Sequence, residues 1–511
     1  MVRSTGPVIG INRGPPVSLN AAELLLLLER TPTGPLRVRL ATALRDAIRA
    51  GQLAPGATMP STRVLAQDLG VSRGVAVDAY AQLCAEGFLT TRHGSATTVA
   101  FRPATAPHDL WTGGEPARPP VPELDLRPGW PDLSAFPRKE WAAAVRDVLT
   151  VLPSAALGYD EPWGAWEFRS QLAAYLARVR GAVCAPPGIV VVGGVTQAIT
   201  LMCRVLLGRG QPRLAVEDPS NPIQRRRLAR LGMEVVPIPV DRDGLQVDAL
   251  ARSEASAVLC TPAHQYPCGV SLSPERRASL LRWATEVDGL VLEDDYDADF
   301  RYERTPMGCL QGMDPMHVAL LGSVSKTLAP ALRIGWVVTP PHLLAALRAA
   351  KRDDDLGGNT LDQHVLARLL STGSYDRHLR LLRRRYRIRR DGLVGAFTRL
   401  LPDWEILGSA GGLHLTVRPP EGTPENRLVA AAAGLGLAVF GLGAMSVERA
   451  PMAGIVLSYA RATPDMSAEA VRRLALAMAA LDQVTPAMEA AVSTGALPWF
   501  ETGGLHVPDM R

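Results

Sequence analysis

The sequence predicts an α/β protein of two units, a small helical one followed by a large one built on a mostly parallel sheet. Three observations carry this. Residues 101 to 123, FRPATAPHDLWTGGEPARPPVPE, are rich in Pro, Gly and Ala and have neither helical nor strand period, so they read as a linker. Before them, helical runs are broken by glycines. After them, from 185 to 340, short runs of Val, Ile and Leu alternate with helical stretches, as strands do when helices cover both faces of a sheet. The boundaries read as 20–100 for the small unit, 101–123 for the linker and 124–485 for the large unit. A tail, 486–511, is either loose or docked through Trp499 and Phe500.

Composition narrows the class. The 511 residues are 47% hydrophobic, enough for a sizeable core, and the net charge of +5 is mild for that length. Six cysteines (Cys84, Cys184, Cys203, Cys260, Cys268 and Cys309) are scattered without paired metal spacing, which fits a reducing compartment and no metal site. The N-terminus lacks an apolar h-region, and no apolar run reaches about 18 residues. The expectation is a cytoplasmic protein with no membrane partner.

In the small unit, Leu40, Leu44 and Ile48 recur at helical spacing up to Gly51. Ser61 caps a short helix carrying Val64, Leu65 and Leu69, and Gly70 ends it. Ser72 caps a second, with Val75, Val77, Tyr80, Leu83 and Cys84 on its apolar side. Two short helices joined by a turn containing Gly make a helix-turn-helix. FLTTRHGSATTVA then reads as two short strands around His93-Gly94-Ser95, a wing. Eight arginines (37, 39, 45, 49, 63, 73, 92 and 102) face only four acids here, the charge footprint of phosphate binding.

The run PGATMPSTRVLAQDLGVSRGVAVDAYAQLCAEGFL closely resembles the winged helix-turn-helix of GntR-type bacterial regulators, over some 65 residues. The resemblance implies that Ser61, Arg63, Ser72, Arg73 and Arg92 meet double-stranded DNA, with Gly94 at the wing tip. Arg73 falls in the first turn of the presumed recognition helix, where side chains reach base edges or phosphates. Ala76 stands where a Thr often precedes the Val.

In the large unit, polar residues gather where strands end. Gly193-Gly194-Val195-Thr196 follows a strand and opens a helix, a turn that offers free backbone N–H groups to an anion. LVLEDDYD offers Asp294 and Tyr296. LLGSVSK offers Ser323, Ser325 and Lys326, with Arg333 seven residues on. The chain has only three lysines, Lys139, Lys326 and Lys351, among 55 Lys and Arg residues, so a lysine in a Gly/Ser-rich turn suggests a need for a primary amine. Pyridoxal 5′-phosphate (PLP) chemistry uses all of these: a lysine for the Schiff base, an acid for the ring nitrogen, a phenol for the ring hydroxyl, and hydroxyls, a helix N-terminus and an arginine for the phosphate.

Residues 124 to 485 resemble the fold-type I aminotransferases. TPAHQYPCG, EDDYDADFRY and GSVSKTLAPALRIGW are similar to the MocR/GabR family, which fuses a GntR-type domain to an aminotransferase-like domain. The resemblance implies Lys326 as the Schiff-base lysine, Asp294 at the pyridine nitrogen and Tyr296 at the ring hydroxyl. Arg333, Ser323, Ser325, Val195 and Thr196 would cradle the phosphate, and Tyr159 would cross to the neighbour's phosphate in a homodimer. Each DNA-binding unit is expected to reach over the partner's large domain.

Several positions depart from the aminotransferase pattern. Asn221 replaces the aromatic that stacks on the ring, and Ile223 an arginine of GABA-responsive members. Val456 stands where aminotransferases place the arginine that clamps the substrate carboxylate, unless Arg461 or another arginine takes over. Tyr266 replaces an Asn, as is typical of the regulators. His264 reads either as a general base or as a hydrogen-bonded pocket histidine. The basic run Arg377 to Arg390 is either a second DNA surface or a solvated, acid-paired helix face, the commoner case. The expected function is a PLP-dependent transcriptional regulator that senses PLP itself, as a vitamin B6 regulator would, or a small amino compound. A working aminotransferase with an attached DNA-binding domain is the alternative.

Overall fold

The computed structural model describes residues 34–91, 96–100, 121–159, 161–302, 307–447, 453–485, 488–489 and 492. Arg92, Gly94, Arg102, most of the linker, Trp499 and Phe500 lie outside the described residues. The chain divides into two compact units, Met1–Arg118 and Pro119–Arg511.

The small unit holds α1 (Leu36–Arg49), α2 (Thr62–Asp68) and α3 (Arg73–Ala85), followed by β1 (Leu89–Thr90) antiparallel to β2 (Thr98–Val99). Its core is one cluster that includes Leu40, Leu44, Ile48, Leu65, Tyr80 and Leu83. The serine caps form: Ser61 Oγ accepts from the Val64 amide and Ser72 Oγ from the Val75 amide. Between the two helices Gly70 has φ +62°, a left-handed conformation that a side chain would strain. The Tyr80 hydroxyl donates to the Pro60 carbonyl at 2.9 Å and ties α3 to the segment entering α2. Val64 and Val77 were expected on the apolar sides, yet they are 47% and 43% exposed. Ala66, Ala76 and Ala79 are buried instead. Methyl-sized side chains let these short helices approach closely, and the bulkier valines are left outside.

The large unit begins with β3 (Leu124–Asp125), α4 (Arg138–Val151) and α5 (Trp166–Arg180). The sheet-forming stretch follows: β4 (Ile189–Val192), α6 (Val195–Gly208), β5 (Arg213–Asp218), α7 (Pro222–Arg230), β6 (Glu234–Asp241), β7 (Gly244–Leu245), α8 (Val247–Arg252), β8 (Ala257–Cys260), α9 (Pro274–Glu286), β9 (Leu290–Asp294), β10 (Val318–Ser323) and β11 (Gly335–Val338). The strands stand in the order β4-β11-β10-β9-β8-β5-β6-β7. From β10 to β6 the pairs are parallel, while β11 is antiparallel to both its neighbours and β7 folds back on β6. Between 185 and 340 the apolar runs GIVVVGG, RLAVED, MEVVPIPV, AVLCTPAH, LVLEDD, VALLGSV and RIGWVVT coincide with β4, β5, β6, β8, β9, β10 and β11. The two-residue β7 is too short to leave a period.

Successive residues of a strand face opposite sides. Val190 and Val192 enter one hydrophobic core with Leu201 and Leu347, and Ile189 and Val191 enter the other with Phe168 and Leu366. Beyond the sheet come α10 (Leu344–Asp355), α11 (Thr360–Ser371) and the long α12 (Ser374–Leu400). The smaller C-terminal part holds β12 (Glu405–Leu407), β13 (His414–Arg418), α13 (Glu425–Gly434), β14 (Leu437–Ala438), β15 (Phe440–Gly441), β16 (Ile455–Ser458) and α14 (Pro464–Ala479). Four of its strands form an antiparallel sheet, β12-β13-β16-β15, and β14 pairs with β3. Among the described residues no helix is long and apolar enough to cross a membrane, and all six cysteines are free.

Candidate functional site

The carboxyl ends of β4, β5, β8, β9 and β10 open onto one cavity of about 670 Å³. It is lined by ten of the residues expected there: Val195, Thr196, Asn221, Tyr266, Asp294, Tyr296, Ser323, Ser325, Lys326 and Arg333. Two others are elsewhere. Tyr159 is 99% exposed, on the surface of this subunit. His264 is not in the wall but one contact behind it, against Tyr296.

Lys326 sits in the turn after β10, where its Nζ donates to the Gly129 carbonyl at 2.5 Å. The turn is fixed from behind: on α12, Tyr375 donates to Thr327 Oγ1 at 2.8 Å, and His378 Nε2 lies 2.7 Å from the Thr327 carbonyl. Burial lowers the Lys326 pKa below the ordinary lysine value, although Asp294 and Asp297 pull it up. Asp294 ends β9. Its Oδ1 is buried with no hydrogen-bond partner. Burial, reinforced by Asp295 and Asp297, pushes its pKa up to about 7. The four carboxylates of the EDDYD run are sorted by direction. Glu293 accepts the Leu310 and Gln311 amides, Asp295 takes both arms of Arg180 at 2.8 Å, Asp297 meets His264, and Asp294 alone faces the cavity.

The anion end is built by α6. Its first amides, Val195 and Thr196, have no carbonyl acceptor within the helix. Gln197 Oε1 accepts the Gly193 amide at 2.6 Å, while its Nε2 donates to Asp354 and Asp355 of α10. Gly194 has φ +116°, and a Cβ there would lie 3.5 Å from the Arg333 guanidinium, in the space the turn leaves open. A buried orphan acceptor, a primary amine and an anion cradle thus share one cavity, and this set fits a phosphorylated pyridine aldehyde.

Sequence reading missed several lining residues. Arg127, Gly129 and Trp130 come from an irregular segment with no period, and only the Pro/Gly/Trp grouping in RPGWPD marks it. Glu217, His414, Phe440 and Met445 also line the wall. Glu217 accepts the Thr261 amide and hydroxyl, and burial raises its pKa to about 7. Val456 is fully buried in an apolar cluster with Cys268, Leu442 and Met445. Arg461 is not in the wall; it pairs with Asp125 at 3.1 Å, so it does not fill the place of a clamp. Asn221 Oδ1 accepts the Ile223 and Gln224 amides and so caps α7.

In the small unit Ser61, Arg63, Ser72 and Arg73 are all exposed, and neither Arg63 nor Arg73 has an ion-pair partner among the described residues. Arg45, by contrast, is forked onto Glu86. Along α12, Arg385 and Arg389 turn inward to Asp132 and Arg383 to Asp299, whereas Arg377, Arg380, Arg384 and Arg387 are exposed.

Residues 36–99 match the family model of bacterial regulatory proteins, gntR family, and residues 130–474 that of aminotransferase class I and II. The chain is 32% identical to the probable rhizopine catabolism regulatory protein MocR of Rhizobium meliloti, over 93% of this chain and 98% of that one. It belongs to the MocR-type regulators of the GntR family. It is also 34% identical to the pyridoxine biosynthesis transcriptional regulator PdxR of Corynebacterium glutamicum, over 84% and 90% of the two chains. Among solved structures it is similar to the multiple substrate aminotransferase of Thermococcus profundus, with a TM-score of 0.65 and 28% identity over 72% of this chain and 93% of that one. This MocR-type chain is therefore a DNA-binding transcriptional regulator, and its large unit is a fold-type I aminotransferase-like domain, which implies a PLP-type cofactor.

The raised carboxyls predict a pH dependence. Asp294 and Glu217 have folded values of about 7, above the roughly 4 of an unfolded chain. The stability they lend the cofactor-free protein is full below about pH 4 and is lost as pH rises through about 7. Asp294→Asn should therefore flatten the decline in melting temperature between about pH 5 and 8, as read by thermal melts of the cofactor-free parent and variant.

Proposed function

We propose that this regulator holds pyridoxal 5′-phosphate in the cavity and controls transcription by sensing either PLP itself or a small amino compound there. The observation that carries the reading is the convergence of Lys326 and the unpartnered Asp294 Oδ1 on one cavity. The Asp294 carboxylate would accept the protonated ring nitrogen, which satisfies its buried oxygen. Tyr296 would bond the ring hydroxyl. The Val195 and Thr196 amides, Ser323, Ser325 and Arg333 would hold the phosphate, an arrangement suited to a dianion. A lysine with a lowered pKa has more of its neutral, nucleophilic form at neutral pH. When bound, PLP supplies a carbonyl carbon that primary amines add to and a ring that withdraws electrons.

We also propose a homodimer whose DNA-binding units cross to the partner's large domain. Leu149, Val151, Leu157, Tyr159 and Trp166 are all more than half exposed within one short stretch, an apolar surface suited to a second copy. Tyr159 would then reach the partner's phosphate.

The visible absorbance band formed on adding PLP should vanish in Lys326→Ala. A borohydride-reducible adduct at an equal level in that variant would sink the assignment. Arg63→Ala and Arg73→Ala should each weaken binding to the upstream intergenic DNA, in a salt-dependent assay, and leave the visible band untouched. Unchanged affinity in both would rule this surface out.

Turnover should be weak or absent. Orienting the scissile bond of an amino acid requires its carboxylate to be clamped, and misorientation costs orders of magnitude in rate. Val456 supplies no charge, and Arg461 is engaged by Asp125. In single turnovers with a panel of common α-amino acids, no rapid conversion to pyridoxamine phosphate is expected. Complete, fast conversion with any of them would favour the enzyme alternative.

A further inference from the structure

Behind Tyr296 lies a buried pair of titratable side chains to which the cofactor reading gives no task. His264 Nδ1 is 2.9 Å from Asp297 Oδ2 and 3.1 Å from the Tyr296 hydroxyl. The two side chains are 3% and 1% exposed, and neither lines the cavity. The backbone is shaped around them. Gly412 has φ +70°, and a Cβ there would overlap both His264 and Asp297. Other titratable groups close the shell. The His414 ring packs 4.8 Å from His264, and its Nε2 lies 3.1 Å from the Pro267 carbonyl. Tyr266 meets Tyr296 edge-on at 6.2 Å. Asp294 and Lys326 face Tyr296 from the cavity wall.

Donor and acceptor rules assign the protons. A carboxylate only accepts, and a neutral imidazole has one N–H. With Asp297 beside it, Nδ1 carries that hydrogen and has no lone pair to offer Tyr296. The phenol oxygen therefore accepts a share of the same N–H, which leaves its own hydrogen free to donate: to Asp297 in the cofactor-free protein, and to a ring oxygen once one is present. Burial first, then Asp297, holds the Tyr296 pKa well above the ordinary phenol value, so the hydrogen stays in place at neutral pH. Burial, then His264, keeps His414 neutral by lowering its pKa far below the usual imidazole value.

We infer that Asp297 and His264 are a positioning pair that fixes the Tyr296 hydroxyl as a donor aimed at the ring oxygen of the cofactor. His264 is then a positioning residue that acts through Tyr296, neither a general base nor a cofactor contact. The inference rests on the cofactor reading above. A donor at that oxygen stabilises its anionic form and lowers the pH at which the visible band of the loaded protein titrates. Losing a hydrogen bond to a charged group moves such a midpoint by about one pH unit.

The test is a pH titration of the visible band in PLP-loaded parent, His264→Gln, Tyr296→Phe and His264→Gln/Tyr296→Phe proteins. His264→Gln should raise the midpoint by about one unit and should add nothing once Tyr296 is Phe. That non-additivity distinguishes action through Tyr296 from a general loosening of the site. If His264→Gln fails to fold, His264→Asn crossed with Tyr296→Phe carries the same comparison. The inference is overturned if the His264 variant leaves the midpoint unmoved, or shifts it equally in the Tyr296→Phe background. A parent with no Lys326-dependent band would instead remove the cofactor reading itself, so the two failures are distinguishable.

Discussion

Leaving a buried acceptor unpaired costs about 1–3 kcal/mol, and Asp294 Oδ1 is held in that condition at the end of β9. The surroundings are arranged to keep it so. Lys326 is the cation that acts on it, lowering its pKa by charge but giving it no hydrogen bond, while Arg180 is forked onto Asp295. Glu293 is satisfied by backbone amides, and Asp297 by His264. The free-protein site thus keeps one carboxylate oxygen without a donor, a need that a protonated ring nitrogen would meet. Strand ends make this possible because a parallel sheet brings the turns after several strands to one edge.

The small unit works under a different constraint. Its helices are short, so the caps and close packing must define them where intrinsic helix stability does not. Ser61 and Ser72 cap the two helices, Gly70 turns between them, and Tyr80 ties α3 back to Pro60. Alanines bring α2 and α3 together, leaving Arg63, Arg73, Val64 and Val77 on the outside. The exposed valines accompany the exposed arginines, as befits a face that meets a ligand with both apolar and charged parts.

Much of this was legible in the sequence, and the failures are physical. Apolar runs located the seven principal strands because six of them are buried on both faces, and β6, only partly buried, still alternates Val and Ile with Pro. The polar residues at their carboxyl ends identified the part of the cavity wall that carries Lys326, Asp294 and the anion cradle, since those side chains follow their strands directly. Arg127, Gly129 and Trp130 were not found because an irregular segment has no period. His264 was noticed, but its distance from the cavity was not: a histidine beside a strand end does not reveal whether a tyrosine stands in front of it. The fate of Arg461 was likewise invisible, because its partner, Asp125, lies more than three hundred residues away in sequence. Period also could not tell valine from alanine in the small unit, where residue size decided which one packed inside.

The scarcity of lysine has a consequence for chemical selectivity. An aldehyde condenses with unprotonated amines wherever it finds them, and a lysine-rich surface would divert it into many unproductive adducts. Here the side-chain amines number three. Lys351 is fully buried against Asp355, Lys139 is exposed, and Lys326 alone lines the cavity. Arginine carries nearly all the remaining positive charge, and its guanidinium stays protonated and poorly nucleophilic. The composition itself therefore limits background reaction: a reactive carbonyl compound meets few competing amines elsewhere on the chain.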